Sequence, residues 1–198
     1  MQKFRLFLFP LVPVYRLVVV LRNLFFDVGL LESKSFPLPI IGVGNLIAGG
    51  SGKTPLVEYL IKLTGNGVNT ATLSRGYKRR SKGFKIATAE CTAIDIGDEP
   101  MQYFSKFGNL TVAVNENRQI GIKNLISQKP ELELIILDDV FQHRFVKPGL
   151  NILVTDYFHP YTRDYLLPAG MLREPISGAK RANIIVVTKT PAIFSPIV

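Results

Sequence analysis

Hydrophobic and polar positions follow two regimes along this chain. Residues 1–31 are apolar almost all round but cut by Arg5, Arg16 and Arg22. The longest uncharged run there, 6–15, is ten residues long and contains Pro10 and Pro13. A bilayer-spanning helix needs about 20 apolar residues, so no span is expected. A cleavable signal is not expected either, because no A-x-A-like site follows and Arg16 interrupts the apolar stretch. Arg5 and Arg16 lie eleven residues apart, about three helical turns, and share a face if the prolines only kink the path. Apolar bulk with arginines that reach toward phosphates suits a segment lying in a membrane interface. A helix packed on the domain or on a partner fits the same pattern.

From Pro39 the rhythm changes. Short β-rich apolar runs occupy 40–43, 70–73, 110–114, 134–137, 152–154 and 184–187, with helix-like stretches at 55–64, 99–107 and 117–128 between several of them. Apolar strands buried on both faces and alternating with helices predict a mostly parallel sheet of the α/β class, helices on both its faces. The expected organisation is a membrane-interface segment over 1–36 and an α/β domain over 37–198. Ligands of such sheets bind at the carboxyl ends of the strands.

Composition narrows the class. The 198 residues are 47% hydrophobic and 20% charged, which excludes a disordered chain. Cys91 is the only cysteine, so there is no disulfide framework and a reducing, cytoplasmic compartment is the simplest expectation. The net charge is +9, and much of the excess sits between Glu58 and Glu90, where no acid interrupts Lys62, Arg75, Lys78, Arg79, Arg80, Lys82 and Lys85. Such a field attracts phosphates, on a lipid or on a phosphorylated substrate, unless it is only a solvated loop. Nucleic acid is not the expected partner, because only Tyr77 and Phe84 interleave the bases and no binding signature accompanies them.

The chemistry gathers at strand ends. I-I-G-V-G-N-L-I-A-G-G-S-G-K-T over 40–54 reads as strand, glycine-rich loop and helix start, with Pro55 in the first turn. The strict phosphate-loop pattern wants glycine at Ile47, so only its second half is present. The cradle is expected from Ile47, Ala48, Gly49, Gly50, Ser51, Gly52, Lys53 and Thr54. Lys53 would reach the β- and γ-phosphates, and the Thr54 hydroxyl would hold Mg²⁺. A second strand ends in Asp138-Asp139, and Asp138, directly after the apolar run, is the metal-side candidate. T-K-T-P at 188–191 lacks the carboxylate of a guanine-reading N-K-x-D sequence, which favours ATP. Arg75, Arg118 and Arg173 are candidate anion clamps. Glu174 is either a second metal-side carboxylate or the ion-pair partner of Arg173. On residue type alone Asp98 suits the N-cap of a helix opening at Glu99-Pro100.

Five segments in one order go further: V-G-N-L-I-A-G-G-S-G-K-T-P at 43–55, L-S-R-G-Y at 73–77, G-D-E-P at 97–100, D-D-V-F-Q-H at 138–143 and L-L-P-A-G-M-L-R-E-P at 166–175. Together they resemble the tetraacyldisaccharide 4'-kinase family of lipid A biosynthesis, over nearly the whole chain. The resemblance implies a phosphate-loop NTPase-like fold and a peripheral enzyme on the cytoplasmic face of the inner membrane of a Gram-negative bacterium. It implies transfer of the ATP γ-phosphate to the 4'-hydroxyl of a tetraacylated glucosamine disaccharide 1-phosphate, giving lipid IVA. It makes Asp98 the catalytic aspartate and puts Asn45, Gln142 and His143 in the substrate pocket. Val140 departs from a family glycine, so a different local turn is expected. Family members run well past 198 residues, and a carboxyl-terminal part is expected to be missing. The competing expectations are a membrane-associated regulatory ATPase and a fragment that binds ATP without catalysis. Cys91 is expected to be inert, and His159 has no assigned role.

Overall fold

The computed structural model describes residues 6–191; Arg5 and 192–198 lie outside that range. Seven strands form one sheet: β1 (Ile40–Gly44), β2 (Thr70–Ser74), β3 (Lys85–Ile86), β4 (Thr111–Val114), β5 (Leu134–Asp138), β6 (Leu150–Asp156) and β7 (Ile184–Thr188). Their order is β3-β4-β2-β5-β1-β6-β7. Every pairing is parallel except that of β3 with β4. The six apolar runs of the sequence all become strands. β3 is added at one edge by two residues whose side chains are only half-buried, too short to mark a hydrophobic pattern.

Five helices accompany the sheet: α1 (Val12–Asp27), α2 (Lys53–Thr64), α3 (Ala93–Ile96), α4 (Asp98–Lys106) and α5 (Arg118–Gln128). The central strands read as continuous hydrophobic runs because both their faces are covered, whereas β7 at one edge leaves Ile184, Ile185 and Val187 exposed. On β5, Ile136 joins Val57 and Ile61 of α2 and Tyr103 of α4 in one cluster. Its neighbours Ile135 and Leu137 join Ile122 and Leu125 of α5 in another. The period-2 alternation of a strand thus divides one apolar run between two layers.

α1 follows a 3-10 turn at Leu6–Leu11. Neither proline shortens the helical path: Pro10 lies within that turn, and Pro13 sits in the first turn of α1, where a missing N–H costs nothing. Phe7–Asp27 is therefore long and apolar enough to cross a membrane by length and composition, contrary to the sequence expectation. α1 also packs the opposite way round from the other helices. Tyr15, Val19, Arg22, Asn23 and Phe26 lie on the covered side. Tyr15 Oη donates to the Arg173 carbonyl (2.7 Å), Arg22 Nη2 to the Gln142 carbonyl (3.0 Å) and Asn23 Nδ2 to Glu174 Oε2 (3.2 Å). Arg144 returns a bond to the Asn23 carbonyl and pairs with Asp27. Leu17, Val18, Val20, Leu21, Leu24 and Phe25 face outward, as does Arg16.

The basic stretch does not remain one solvated loop. Arg79 is pinned by Glu116 (2.6 Å) and the Gly83 carbonyl, and Lys85 pairs with Asp95. Arg75, Lys78, Arg80 and Lys82 stay exposed.

Candidate functional site

β1 lies where the strand order reverses, with β5 on one side and β6 on the other, the position at which α/β sheets open a crevice. The glycine loop leaves β1 there and enters α2. Gly49 (φ +141°) and Gly52 (φ +81°) adopt conformations that side chains resist. The first half of the loop is laced to its neighbours: Ala48 N–H donates to the Met171 carbonyl and Arg173 N–H to the Leu46 carbonyl, each at 2.8 Å. The second half is braced from below by fully buried Asn45, whose Nδ2 donates to Ser51 Oγ (2.8 Å). The first-turn amides of Lys53 and Thr54 have no acceptor within α2 and, with the helix dipole, form an anion-binding end.

Two adjacent carboxylates at the end of β5 take different roles. Asp138 is buried, with Tyr103 Oη donating to its Oδ2 (2.9 Å), while its buried Oδ1 has no partner. Burial first, then the nearby Glu99 carboxylate, pushes Asp138 up to about 6. Asp139 turns into the left-handed region (φ +51°). There it meets Lys53 Nζ at 3.3 Å and Arg173 Nη1 at 3.2 Å. Burial opposes its ionisation, but these two cations hold it below the ordinary carboxylate range. Lys53 Nζ also donates to Asn45 Oδ1 (3.3 Å), so its ammonium is held between Asn45 and Asp139.

A cleft of about 670 Å³ opens beside this arrangement, lined by Lys53, Arg75, Asp98, Arg118, Asp138 and His143, among others. Arg118 is 3% exposed; its guanidinium donates to the Asn115 and Asp138 carbonyls, while Nε is buried without a partner. Burial pulls its pKa down to about 10. Burial and the Arg118 charge lower His143 to about 4, so its imidazole is neutral at physiological pH. Thr54 Oγ1 donates to Glu99 Oε1 (3.2 Å). The unpartnered Asp138 Oδ1, with the Thr54 hydroxyl and Glu99 near it, is the oxygen-rich donor set a hard divalent cation takes.

The tetraacyldisaccharide-1-P 4'-kinase family model matches residues 4–195. The chain belongs to that family. It is 53% identical to the tetraacyldisaccharide 4'-kinase of Bacteroides thetaiotaomicron over 98% of this chain and 52% of that protein. It is 52% identical to that of Flavobacterium johnsoniae over 98% of this chain and 57% of that one. The crystal structure of the "apo" form of LpxK from Aquifex aeolicus in complex with ATP aligns with a TM-score of 0.87 and 36% identity, covering 98% of this chain and 62% of that one. The chain thus spans about half the length of the curated relatives it matches.

Within this member of the tetraacyldisaccharide 4'-kinase family, the structure brings Lys53, Arg75, Asp98, Arg118, Asp138, Gln142, His143 and Arg173 around one cleft. It also redirects several expectations. Ala48 gives its amide to Met171 but still lines the cleft, and Ile47 is bridged to Leu172. Asn45 lies beneath the loop with its amide committed to it, rather than facing a substrate. Glu174 is buried against Arg181 (2.7 Å), Asn23 and Gln142 and is not among the residues lining the cleft. That placement removes it from the metal side and also from Arg173, whose partner is Asp139. Asp98 does not cap its helix: Gly97 (φ +97°) is the N-cap, and Asp98 opens the first turn. Its carboxylate is exposed, lines the cleft and makes no hydrogen bond or ion pair with another described residue. Val140 fits without strain, because the left-handed residue of this turn is Asp139 and the valine packs into the core.

Two residues were missed. Glu99 reads in sequence only as part of a helix start, although an acid beside Asp98 in the G-D-E-P segment is a usable signal. The grip of Asp139 on Lys53 had none, since it depends on a left-handed backbone at one residue.

Proposed function

We propose that this chain is the nucleotide-binding part of an ATP-dependent lipid kinase. The reaction is transfer of the γ-phosphate of ATP to the 4'-hydroxyl of a tetraacylated glucosamine disaccharide 1-phosphate, yielding lipid IVA. The observation that carries the proposal is the cleft in which Lys53, braced by Asn45 and Asp139, and the partnerless Asp98 carboxylate open onto the glycine loop. The ATP bound by the Aquifex aeolicus relative supports the choice of nucleotide.

In this scheme the amides of the Gly49–Thr54 side and the α2 dipole bind the triphosphate tail. Thr54 and Asp138, with Glu99 behind them, would hold Mg²⁺, which supplies charge neutralisation on the phosphate oxygens. Asp98 accepts the proton of the 4'-hydroxyl as that oxygen bonds to the γ-phosphorus and the bond to ADP breaks. Lys53 offsets charge on the transferring group, and so does Arg173 once phosphate competes for it with Asp139. Arg75, exposed on the cleft wall, suits the acceptor's own phosphate, with the Arg118 charge behind it.

The outward apolar face of α1, with exposed Lys78, Arg80 and Lys82, fits a protein seated on an anionic membrane surface. Side-on docking through Tyr15, Arg22 and Asn23 favours a helix lying along the interface over one crossing it. The cytoplasmic face of the inner membrane is the proposed site of action.

The deciding experiment follows label from γ-labelled ATP into the acceptor lipid in the enzyme and in its Lys53→Ala variant. Transfer by the parent and a loss of at least about a hundredfold in the variant are expected. Retained turnover in the variant overturns the assignment of Lys53. ATP hydrolysis by the parent without lipid labelling supports a regulatory ATPase instead.

A further inference from the structure

The glycine loop is gripped from outside by the end of β7, at the T-K-T-P sequence of residues 188–191. Thr188 Oγ1 lies 2.8 Å from the Ser51 carbonyl and 3.2 Å from that of Thr155. A hydroxyl has one proton, and the shorter contact holds it on the loop. Lys189, left-handed at φ +55°, donates its ammonium to the Gly50 carbonyl (2.7 Å) and to Asp156 Oδ2 (2.6 Å). The contact is close throughout: a Cβ at Gly52 would stand 2.9 Å from Thr188 Oγ1. Glycine is therefore required at position 52 by its neighbour as well as by its own dihedral.

These bonds matter because a peptide unit is planar and trans. Holding the Ser51 carbonyl toward β7 turns the Gly52 N–H the opposite way, away from that strand. Holding the Gly50 carbonyl removes an acceptor that would repel an incoming phosphate if it rotated inward. Asp156, at the end of β6, keeps the Lys189 ammonium in place, so strands on the far side of β1 from β5 fix the loop's polarity.

We infer that Thr188 and Lys189 are positioning residues for the nucleotide, acting through the carbonyl of Ser51 to present the Gly52 amide to the triphosphate and through that of Gly50 to keep this oxygen turned away from it, the Ser51 amide being held by the Gly49 carbonyl (3.1 Å). The inference rests on the kinase proposal and extends it to residues that touch neither substrate. Binding of ATP is set by this outer clamp, while the acceptor lipid, on the Arg75 side of the cleft, is indifferent to it.

The test compares Thr188→Val and Lys189→Met, which keep shape and stem, with Thr188→Ser and Lys189→Arg, which keep a donor. In the enzyme, the first pair should raise KM for ATP by about tenfold each, the scale of one lost hydrogen bond to a group that must stay oriented. KM for the acceptor lipid should stay within about twofold of the parent, and the Ser and Arg variants should recover most of the ATP affinity. A role confined to holding the β7 edge would lower the unfolding midpoint and leave the two KM values moving together. That outcome overturns the inference, and so does an unchanged KM for ATP in the Val and Met variants, or Ser and Arg variants that behave like them. A parent protein that binds no ATP by calorimetry overturns the kinase proposal and this inference with it. A parent that binds ATP, matched by all four variants, overturns this inference alone.

Discussion

Helices α1 and α5, of 16 and 11 residues, solve opposite problems. α5 turns Ile122 and Leu125 onto the sheet and is capped by Asn117, whose side chain accepts from Ile120 N–H (3.2 Å). α1 has no side-chain cap and buries only Phe26 among its described residues. It meets the body mainly with hydrogen-bonding groups and turns its aliphatic residues outward. The difference teaches that apolar content does not say which way a helix faces. α5 is held by exclusion of water, whereas α1 is held by directional bonds and leaves its apolar area for something else to cover.

Three experiments sharpen that contrast. The largest effect belongs to α5. Leu125→Ala removes a fully buried side chain and should cost about 3 kcal/mol in chemical denaturation, with vesicle binding untouched. Next comes the mirror image in α1. The double substitution Leu21→Lys with Phe25→Lys, both exposed, should leave the unfolding midpoint nearly unchanged. Co-sedimentation with anionic phospholipid vesicles should nonetheless fall about a hundredfold. If the midpoint drops as it does for Leu125→Ala, the outward face is covered by protein and the contrast is false.

The smallest effect lies in the seam between α1 and the cleft. His143 is held well below its ordinary value, to about 4, by burial, by Arg118, and by Arg75 and Arg22, against a pull from Asp139. Between about pH 6.5 and 4 the unfolded chain binds the proton that the folded one refuses, so stability falls on acidification through that window. His143→Gln should flatten this dependence by about 1–2 kcal/mol in denaturation midpoints compared at pH 4.5 and 7. An unchanged profile would show that another group titrates there.

Most of the sheet was legible because central parallel strands are buried on both faces, and 134–137 or 152–154 then admit no polar residue. β3 escaped notice because two residues at an edge carry no period. The glycine loop was legible as a motif but not in its internal wiring. Asn45 is expected in the substrate pocket, and its role as a loop brace shows only in its bonds to Ser51 and Lys53. Glu174 sits beside Arg173 in sequence but pairs with Arg181, since neighbours along an extended segment point apart. The basic run at 75–85 looked uniform, yet Arg79 is internal and Lys78 is not, a distinction made by Glu116 from a distant loop. Sequence patterns record which residues are apolar or charged; they do not record which partner arrives from elsewhere in the chain.

The bonds that seat α1 have one further consequence. Tyr15 and Arg22 take hold of the main-chain oxygens of Arg173 and Gln142, and Arg144 takes hold of that of Asn23. A carbonyl is the same whatever residue carries it. The rim of the cleft can therefore exchange the side chains at 142 and 173 without unmooring the helix, so what the cleft accepts and how the helix is anchored are free to evolve on separate schedules.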